Sequence, residues 1–166
     1  MRTEIKTPET DFLPGEVLGL YHVNINVSNL ERSRAFYEML GFRVVDEFAQ
    51  AGVAELDRGL GYDYTNCRAL FMAIGRNRFE TVLDIVEWNE PKSEHRGLRL
   101  HDIGAPRIAL RVKHVDKLVE VLAKQGVEFI SETQQLNFLK RKARFACCRD
   151  PDGMVVEFVE LLNKNL

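Results

Sequence analysis

Four chemically active side chains occupy related places in the two halves of this chain. His22 opens the alternating stretch HVNINV, and Arg107 opens a second one, RIALRV, 85 residues later. Two acidic residues, Asp84 and Glu157, stand inside the apolar stretches VLDIVEW and VVEFVEL. An imidazole, two carboxylates and a guanidinium serve either chemistry or ion pairing, since the fork of an arginine meets a carboxylate at two points. Which use applies depends on the elements that position them.

The chain carries an internal repeat. Moved by the same 85 residues, HVNINVSNLERSRAFYEMLGFRVVDE (22–47) falls on RIALRVKHVDKLVEVLAKQGVEFISE (107–132) without a gap. Few identities survive, but the apolar positions coincide and Gly41 meets Gly126. Two copies of one supersecondary unit leave this kind of pattern.

Each copy reads strand, helix, strand, strand, strand. In the first copy, Ser28 is the predicted N-cap of the helix, with Glu31 at the capping-box position. The strands predicted from alternation lie at 21–27, from 42 onward, 67–74 and 81–88, and in the second copy at 107–112, 127–132, 143–148 and 154–161, with a helix near 115–125. Each helix covers one face of its sheet, and neither copy is expected to bury its sheet alone.

Strand alternation also indicates which side chains point away from the helices. In the first strand Val23, Ile25 and Val27 pack under the helix, so their neighbours face the other way. The polar side chains sent to that other face are His22, Asn24, Asn26, Asp84, Arg107, Arg111 and Glu157. Three polar side chains in a row on one strand need water or a ligand, so this face is the predicted site.

Composition limits the possible partners. The 166 residues are 45% hydrophobic and 29% charged, as in a compact globular protein, and the net charge is only -2. No basic surface for nucleic acid is indicated, and no apolar run reaches the roughly 18 residues of a membrane span. Three cysteines lack metal-type spacing, which fits a reducing compartment. We therefore expect a cytoplasmic protein with small-molecule partners, without nucleic acid or membrane.

The two ends of the repeat resemble a known family. LYHVNINVSNLERSRAFYEMLGF resembles the start of the vicinal oxygen chelate superfamily, and CRDPDGMVVEFVEL resembles its closing motif. That superfamily includes glyoxalase I, bleomycin-resistance proteins and extradiol dioxygenases, and the resemblance covers residues 18–162. It implies an α+β fold of two tandem βαβββ modules, forming a curled mixed sheet around a cavity, and a homodimer. The chain then divides into an arm (1–17), module 1 (18–90), a linker (91–105), module 2 (106–162) and a tail (163–166).

The resemblance also implies roles for single residues. His22 matches the first metal ligand of the family, Glu157 matches the last, and Asp84 falls where the first module often supplies a ligand. Arg107 stands where the second module usually supplies a histidine. A guanidinium has no lone pair to offer, so Arg107 is not a metal ligand and the four-ligand site is changed.

Two arrangements remain open at this site. In one, Arg107 forms a salt bridge with Glu157 or Asp84, and the cavity binds an organic ligand without metal. In the other, His22, Asp84 and Glu157 bind one divalent ion, and Arg107 orients an anionic substrate. The oxygen-rich set suits Mn, Fe or Mg, and Zn and Ni complete the candidate ions.

Two functions from different classes follow from these arrangements. The first is an enzyme that acts on a small oxygenated metabolite as a lyase, isomerase or ring-cleaving oxygenase. Glu157 and Arg107 are its candidate catalytic residues, with Asn24, Asn26 and Arg111 as substrate-binding residues. The second is a non-catalytic binding protein of the bleomycin-resistance type. The loss of the histidine at Arg107 favours the binder, whereas the retained imidazole and carboxylates favour the enzyme.

Overall fold

The computed structural model describes residues 19–75, 81–97, 99–138 and 141–162. The expected arm at 1–17 and the tail at 163–166 lie outside the described residues. The elements in chain order are β1 (His22–Asn26), α1 (Leu30–Met39), β2 (Arg43–Ala51), α2 (Ala54–Leu60), β3 (Asn66–Ala73), β4 (Val82–Glu90), β5 (Arg107–Arg111), α3 (Val115–Lys124), β6 (Gln134–Phe138), β7 (Arg141–Arg149) and β8 (Val155–Leu161).

The strands form two four-stranded mixed sheets of the same topology. The first has the order β1-β4-β3-β2 and the second β5-β8-β7-β6. In each sheet the strand before the long helix runs parallel to the last strand, while the other neighbours are antiparallel. The predicted α+β class and the repeated βαβββ unit are confirmed. No helix among the described residues is long and apolar enough to cross a membrane.

One predicted strand is wrong. The stretch 127–132 is not a ladder strand, and the second strand of module 2 is β6, which begins at Gln134. Phe129 makes only an isolated bridge to Cys148, and Ile130 donates one backbone hydrogen bond to Cys147. Val127 is nonetheless buried. The alternating sequence pattern therefore predicted the burial of Val127 correctly, but it did not predict which residues form backbone hydrogen bonds in the sheet.

The predicted start of α1 is wrong by one residue. Asn29 is the N-cap, and its side chain accepts a hydrogen bond from the backbone of Arg32 at 2.8 Å. Ser28 instead donates its hydroxyl hydrogen bond to Asp152, in the turn before β8. Serine and asparagine are both favourable N-cap residues. Because Ser28 is hydrogen-bonded to the distant Asp152 carboxylate, Asn29 takes the N-cap position.

One continuous core joins the two modules. The helix-facing side chains of both sheets belong to it, among them Ile25 and Ile85 from the first sheet and Val156 and Phe158 from the second. Tyr37, fully buried in α1, donates a hydrogen bond of 3.0 Å to Asp150 in the second module. The two sheets are thus held together through their helix-facing sides, which leaves their other faces for function.

Candidate functional site

The polar side chains of β1 share the outer face of the first sheet, as alternation predicts. Asn24 lies opposite Asp84 in the β1–β4 ladder and donates a hydrogen bond of 3.1 Å to its Oδ2 atom. Trp88 donates to Asn26 at 2.7 Å on the same face. His22 places its Nε2 atom 3.8 Å from Asp84 Oδ2. β1 and β4 together therefore place an imidazole and a carboxylate side by side.

The His22–Asp84 pair is only partly satisfied. The 3.8 Å separation is too long for a hydrogen bond. His22 Nδ1 and Asp84 Oδ1 are buried and find no hydrogen-bond partner among the described residues. The Asp84 side chain is 10% exposed and that of His22 is 37% exposed. A buried polar atom without a partner costs about 1–3 kcal/mol, so this pair is a place where a ligand or an ion would stabilise the protein.

Arg107 and Glu157 form the matching pair on the second sheet. Arg107 Nε lies 3.6 Å from Glu157 Oε2, which selects Glu157 over Asp84 as its partner in this chain. The arginine side chain is half exposed, whereas Glu157 is 18% exposed. Arg111 is exposed at the last position of β5. The second sheet thus presents a fixed positive charge next to a largely covered carboxylate.

Cys147 is a neighbour of this pair that sequence reasoning missed. It is the register partner of Glu157 in the β7–β8 ladder and therefore lies on the same face. Burial raises the pKa of its thiol, and the Glu157 carboxylate raises it further. Cys147 is thus a neutral thiol at neutral pH. The register of two strands was needed to find it, because its own sequence context shows only a small apolar residue.

The two polar pairs do not merge into one cluster within the chain. In the part of the chain that the structure describes, no three His, Cys, Asp or Glu side chains lie close enough to hold a metal ion. The shared core lies on the helix-facing sides of both sheets, so alternation turns both polar faces away from it. His22 and Asp84 fit the role of two ion ligands, but the expected third, Glu157, is on the other sheet.

The segment 49–66 covers one end of the first outer face. Its helix α2 was not predicted, and it carries the buried Asp57, which accepts a hydrogen bond from Thr65. Thr65 in turn accepts from Gln50, whose amide also contacts the Cys67 sulfur. A small apolar cluster of Cys67, Ala69, Val86 and Trp88 completes this end. Ala69 and Val86 are therefore buried, whereas Asn24 and Asn26 on β1 are exposed.

A separate cleft of about 560 Å³ lies away from these pairs. It runs between α1 and the turn after α3, and its lining includes Arg32, Phe36, Phe129 and Arg149. None of the predicted site residues lines it. We therefore assign the candidate site to the outer sheet faces and not to this cleft.

Comparison with known proteins agrees with this fold. The model of the Glyoxalase/Bleomycin resistance protein/Dioxygenase superfamily matches residues 19–158. A glyoxalase family protein from Bacillus cereus is 20% identical, with a TM-score of 0.77 over 92% of this chain and 99% of that one. The trypanothione-dependent glyoxalase I of Leishmania major is 26% identical, with a TM-score of 0.60 over 86% of each chain. The glyoxalase family protein of Enterococcus faecalis is 25% identical, with a TM-score of 0.56 over 86% of this chain and 98% of that one. No curated protein matches. With the repeated βαβββ topology and a family model that spans both modules, the chain belongs to the Glyoxalase/Bleomycin resistance protein/Dioxygenase superfamily.

Proposed function

We propose that this protein is an enzyme that acts on a small oxygenated metabolite as a lyase, isomerase or ring-cleaving oxygenase. The observation that carries this proposal is the His22–Asp84 pair, which converges to 3.8 Å on an outer sheet face and leaves two polar atoms unsatisfied. A buried polar atom without a partner needs an explanation, and a bound ion or ligand provides one. Its location is proposed to be the cytoplasm, since the three cysteines are free thiols.

The proposed cofactor is one divalent metal ion held by His22, Asp84 and Glu157. Because Glu157 lies on the second sheet, we propose that a second copy of the chain supplies it in a homodimer. One histidine and two carboxylates suit Mn, Fe or Mg, and Zn or Ni are the remaining candidates of the family. A bound ion would polarise adjacent oxygens of the substrate as a Lewis acid.

The side chains around the ion have separate proposed roles. Glu157 either stays bound to the ion or releases it to move a proton of the substrate, since a carboxylate within hydrogen-bond reach of that proton can act as a general base. Arg107 is half exposed and carries a permanent charge, so it orients an anionic substrate group. Asn24, Asn26 and Arg111 line the substrate space. Asn24 also fixes the Asp84 carboxylate through its hydrogen bond.

A second candidate function is supported by the Arg107–Glu157 contact. An arginine already paired with the family's last ligand supplies positive charge where the family usually has an ion. In that case the protein binds a small molecule without metal and without turnover. The two candidates differ in whether Glu157 is available to an ion.

Elemental analysis of untagged protein, purified without chelators, tests the proposal. We expect near-stoichiometric Mn, Fe, Zn, Ni or Mg in the wild type, and its loss in His22→Ala and Asp84→Asn. His95→Ala is the matched control, since the His95 ring contacts the Asp152 carbonyl in the loop region and not the sheet face. If the protein takes up no metal even after reconstitution, the metal-dependent enzyme is contradicted, and the metal-free binding protein is the remaining candidate. Once a substrate is known, Glu157→Gln should abolish turnover in an enzyme but not sequestration by a binder.

A further inference from the structure

The cleft of about 560 Å³ between α1 and the turn after α3 has an apolar lining. Phe36 and Val127 are buried there and belong to the core that joins the two modules. Met39 and Ile130 are 39% and 50% exposed, so their side chains remain open to a ligand. A cavity of this size, lined mostly by apolar side chains with a few polar groups, is typical of a small-molecule site. The cleft can therefore cover the apolar part of a small molecule.

Four charged residues of the described chain also line the cleft, and two of them are engaged within the protein. Arg32 donates a hydrogen bond of 2.9 Å to the Asp152 carboxylate. Asp150 is buried, and its Oδ1 atom accepts the backbone N–H groups of Asp152 and Met154. Its Oδ2 atom accepts from Tyr37. Neither Arg32 nor Asp150 thus needs a ligand to satisfy it.

The other two charged residues, Glu128 and Arg149, lie opposite each other. An antiparallel bridge joins Phe129 to Cys148. The residue before the first and the residue after the second are therefore cross-strand neighbours, with side chains on the same side. Both are exposed, and within the described part of the chain neither forms an ion pair. Glu128 and Arg149 thus offer two neighbouring opposite charges to a ligand.

The guanidinium of Arg149 is held in place by the turn before β8. Its Nη1 atom donates a hydrogen bond of 2.8 Å to the Gly153 carbonyl. Among the described residues, its Nε and Nη2 atoms have no hydrogen-bond partner. These two nitrogens form an edge that can meet both oxygens of one carboxylate. The arrangement therefore suits a carboxylate at Arg149.

The ligand that matches this cleft carries two adjacent opposite charges and an apolar group. A simple anion would bind Arg149 but would bring like charge close to Glu128, and a simple cation would do the reverse. An α-amino acid carries its ammonium and carboxylate groups on one carbon, so both groups reach neighbouring partners. Its side chain then points to the apolar lining. In a peptide the two terminal charges are separated by the chain, which fits neighbouring partners less well.

We propose that this cleft binds a free α-amino acid with an apolar side chain. The carboxylate binds Arg149, the ammonium group binds Glu128, and the side chain packs against Phe36, Met39 and Ile130. Since α1 belongs to the first module and the two charged residues belong to the second, the bound amino acid contacts both modules. None of the candidate site residues on the sheet faces lines the cleft, so this site does not depend on the proposed function.

Four probes titrated into the unmodified protein, followed by amide chemical shifts in NMR, test each part of the ligand. L-Leucine has all three parts, 4-methylpentanoate lacks the ammonium group, isopentylamine lacks the carboxylate, and L-alanine lacks most of the side chain. We expect leucine to bind about threefold to tenfold more tightly than each of the others, because each lacks one charged or apolar contact. Equal affinity of leucine and any other probe overturns the proposal, and so does the absence of leucine binding.

Two variants assign the charged groups. Arg149→Gln should weaken the binding of leucine and 4-methylpentanoate by about threefold to tenfold and leave isopentylamine unchanged. Glu128→Gln should weaken leucine and isopentylamine to the same extent and leave 4-methylpentanoate unchanged. Unchanged leucine affinity in either folded variant overturns the proposal.

The controls are charged residues on the helices outside the cleft. Arg34→Gln and Glu120→Gln each remove one partner of an exposed pair within a helix, and should leave leucine binding unchanged. An equal loss of affinity in these controls contradicts the assignment. Since Arg149 also bonds the Gly153 carbonyl, circular dichroism checks the fold of its variant. Glu128 is exposed, so its variant tests the site without that risk.

Discussion

Arg107 ends 3.6 Å from Glu157, at the strand position where the sequence resemblance implies a histidine ligand. Its guanidinium has no lone pair, so the substitution removes one possible ligand and adds a permanent positive charge. Because half of the arginine side chain is exposed, water screens the ion pair with Glu157. Arg107 therefore affects what the site binds more than how stably the chain folds.

Replacement of Arg107 tests this distinction. Arg107→Ala should change the free energy of unfolding by less than about 1 kcal/mol, as for other exposed ion pairs, measured by urea denaturation. Arg107→His should raise the affinity for Mn²⁺ or Ni²⁺ in calorimetric titrations, because an imidazole restores a donor nitrogen. Arg107→Gln is the control, since it also removes the charge but offers no imidazole. Equal metal affinity in the histidine and glutamine variants would show that this strand position no longer points at the ion.

Individual residues also show how much of the candidate site could be predicted from the sequence. Alternation predicted that His22, Asn24 and Asn26 share a face, because side chains of one strand alternate whatever the strand pairs with. Phe71 and Cys147 were missed, although each is the direct register partner of a candidate carboxylate. Register between strands depends on bulges such as the one between Val44 and Asp46, and on turns, so local pattern does not determine it.

The start of α3 shows the same limit of prediction at the level of a secondary-structure element. α3 begins after His114, which has a positive φ of 56° and makes no side-chain cap. The capping group is the Glu160 carboxylate from β8, which accepts the backbone N–H groups of His114 at 2.7 Å and Val115 at 3.1 Å. These hydrogen bonds lower the pKa of Glu160. A cap supplied by a strand 45 residues away cannot be predicted from the residues next to the helix.

Loss of this cap should destabilise the second module. Glu160→Gln should lower the free energy of unfolding by about 1 kcal/mol, the usual worth of a cap. The pKa of Glu160 is lower in the folded protein than in the unfolded chain. Its contribution to the free energy of unfolding is therefore fully present above the pKa of the unfolded chain, and it is lost as the pH falls through the pKa of the folded protein. The difference between wild type and variant should therefore shrink in acid, as measured by urea denaturation across pH. Glu120→Gln is the control, because Glu120 pairs with Lys124 on the exposed side of the same helix. An equal effect of both substitutions would contradict the cap.

The whole molecule is joined where α1 meets the turn before β8. Tyr37 donates to the buried Asp150, and Arg32 and Ser28 both contact Asp152. Burial raises the pKa of both Tyr37 and Asp150, so the contact is made by a neutral phenol at neutral pH. The repeat in the sequence predicted two similar modules that need each other. It did not predict that the modules would share one core on their helix-facing sides and so keep the two polar pairs apart, since this depends on how the modules dock.

This docking leads to a prediction about assembly. If a dimer completes each site, His22 and Asp84 of one chain meet Glu157 of the other, and variants with complementary defects should rescue each other. His22→Ala and Glu157→Gln should each lack metal, whereas refolding them as an equimolar mixture should restore about a quarter of the wild-type sites, since half of the random dimers are mixed and each has one intact site. The readout is equilibrium binding of Mn²⁺ or whichever ion the wild type retains. A mixture of His22→Ala with Asp84→Asn is the control, because both defects lie on the same sheet and every site stays broken. Recovery in neither mixture would place all ligands within one chain, and recovery in both would place the ion elsewhere.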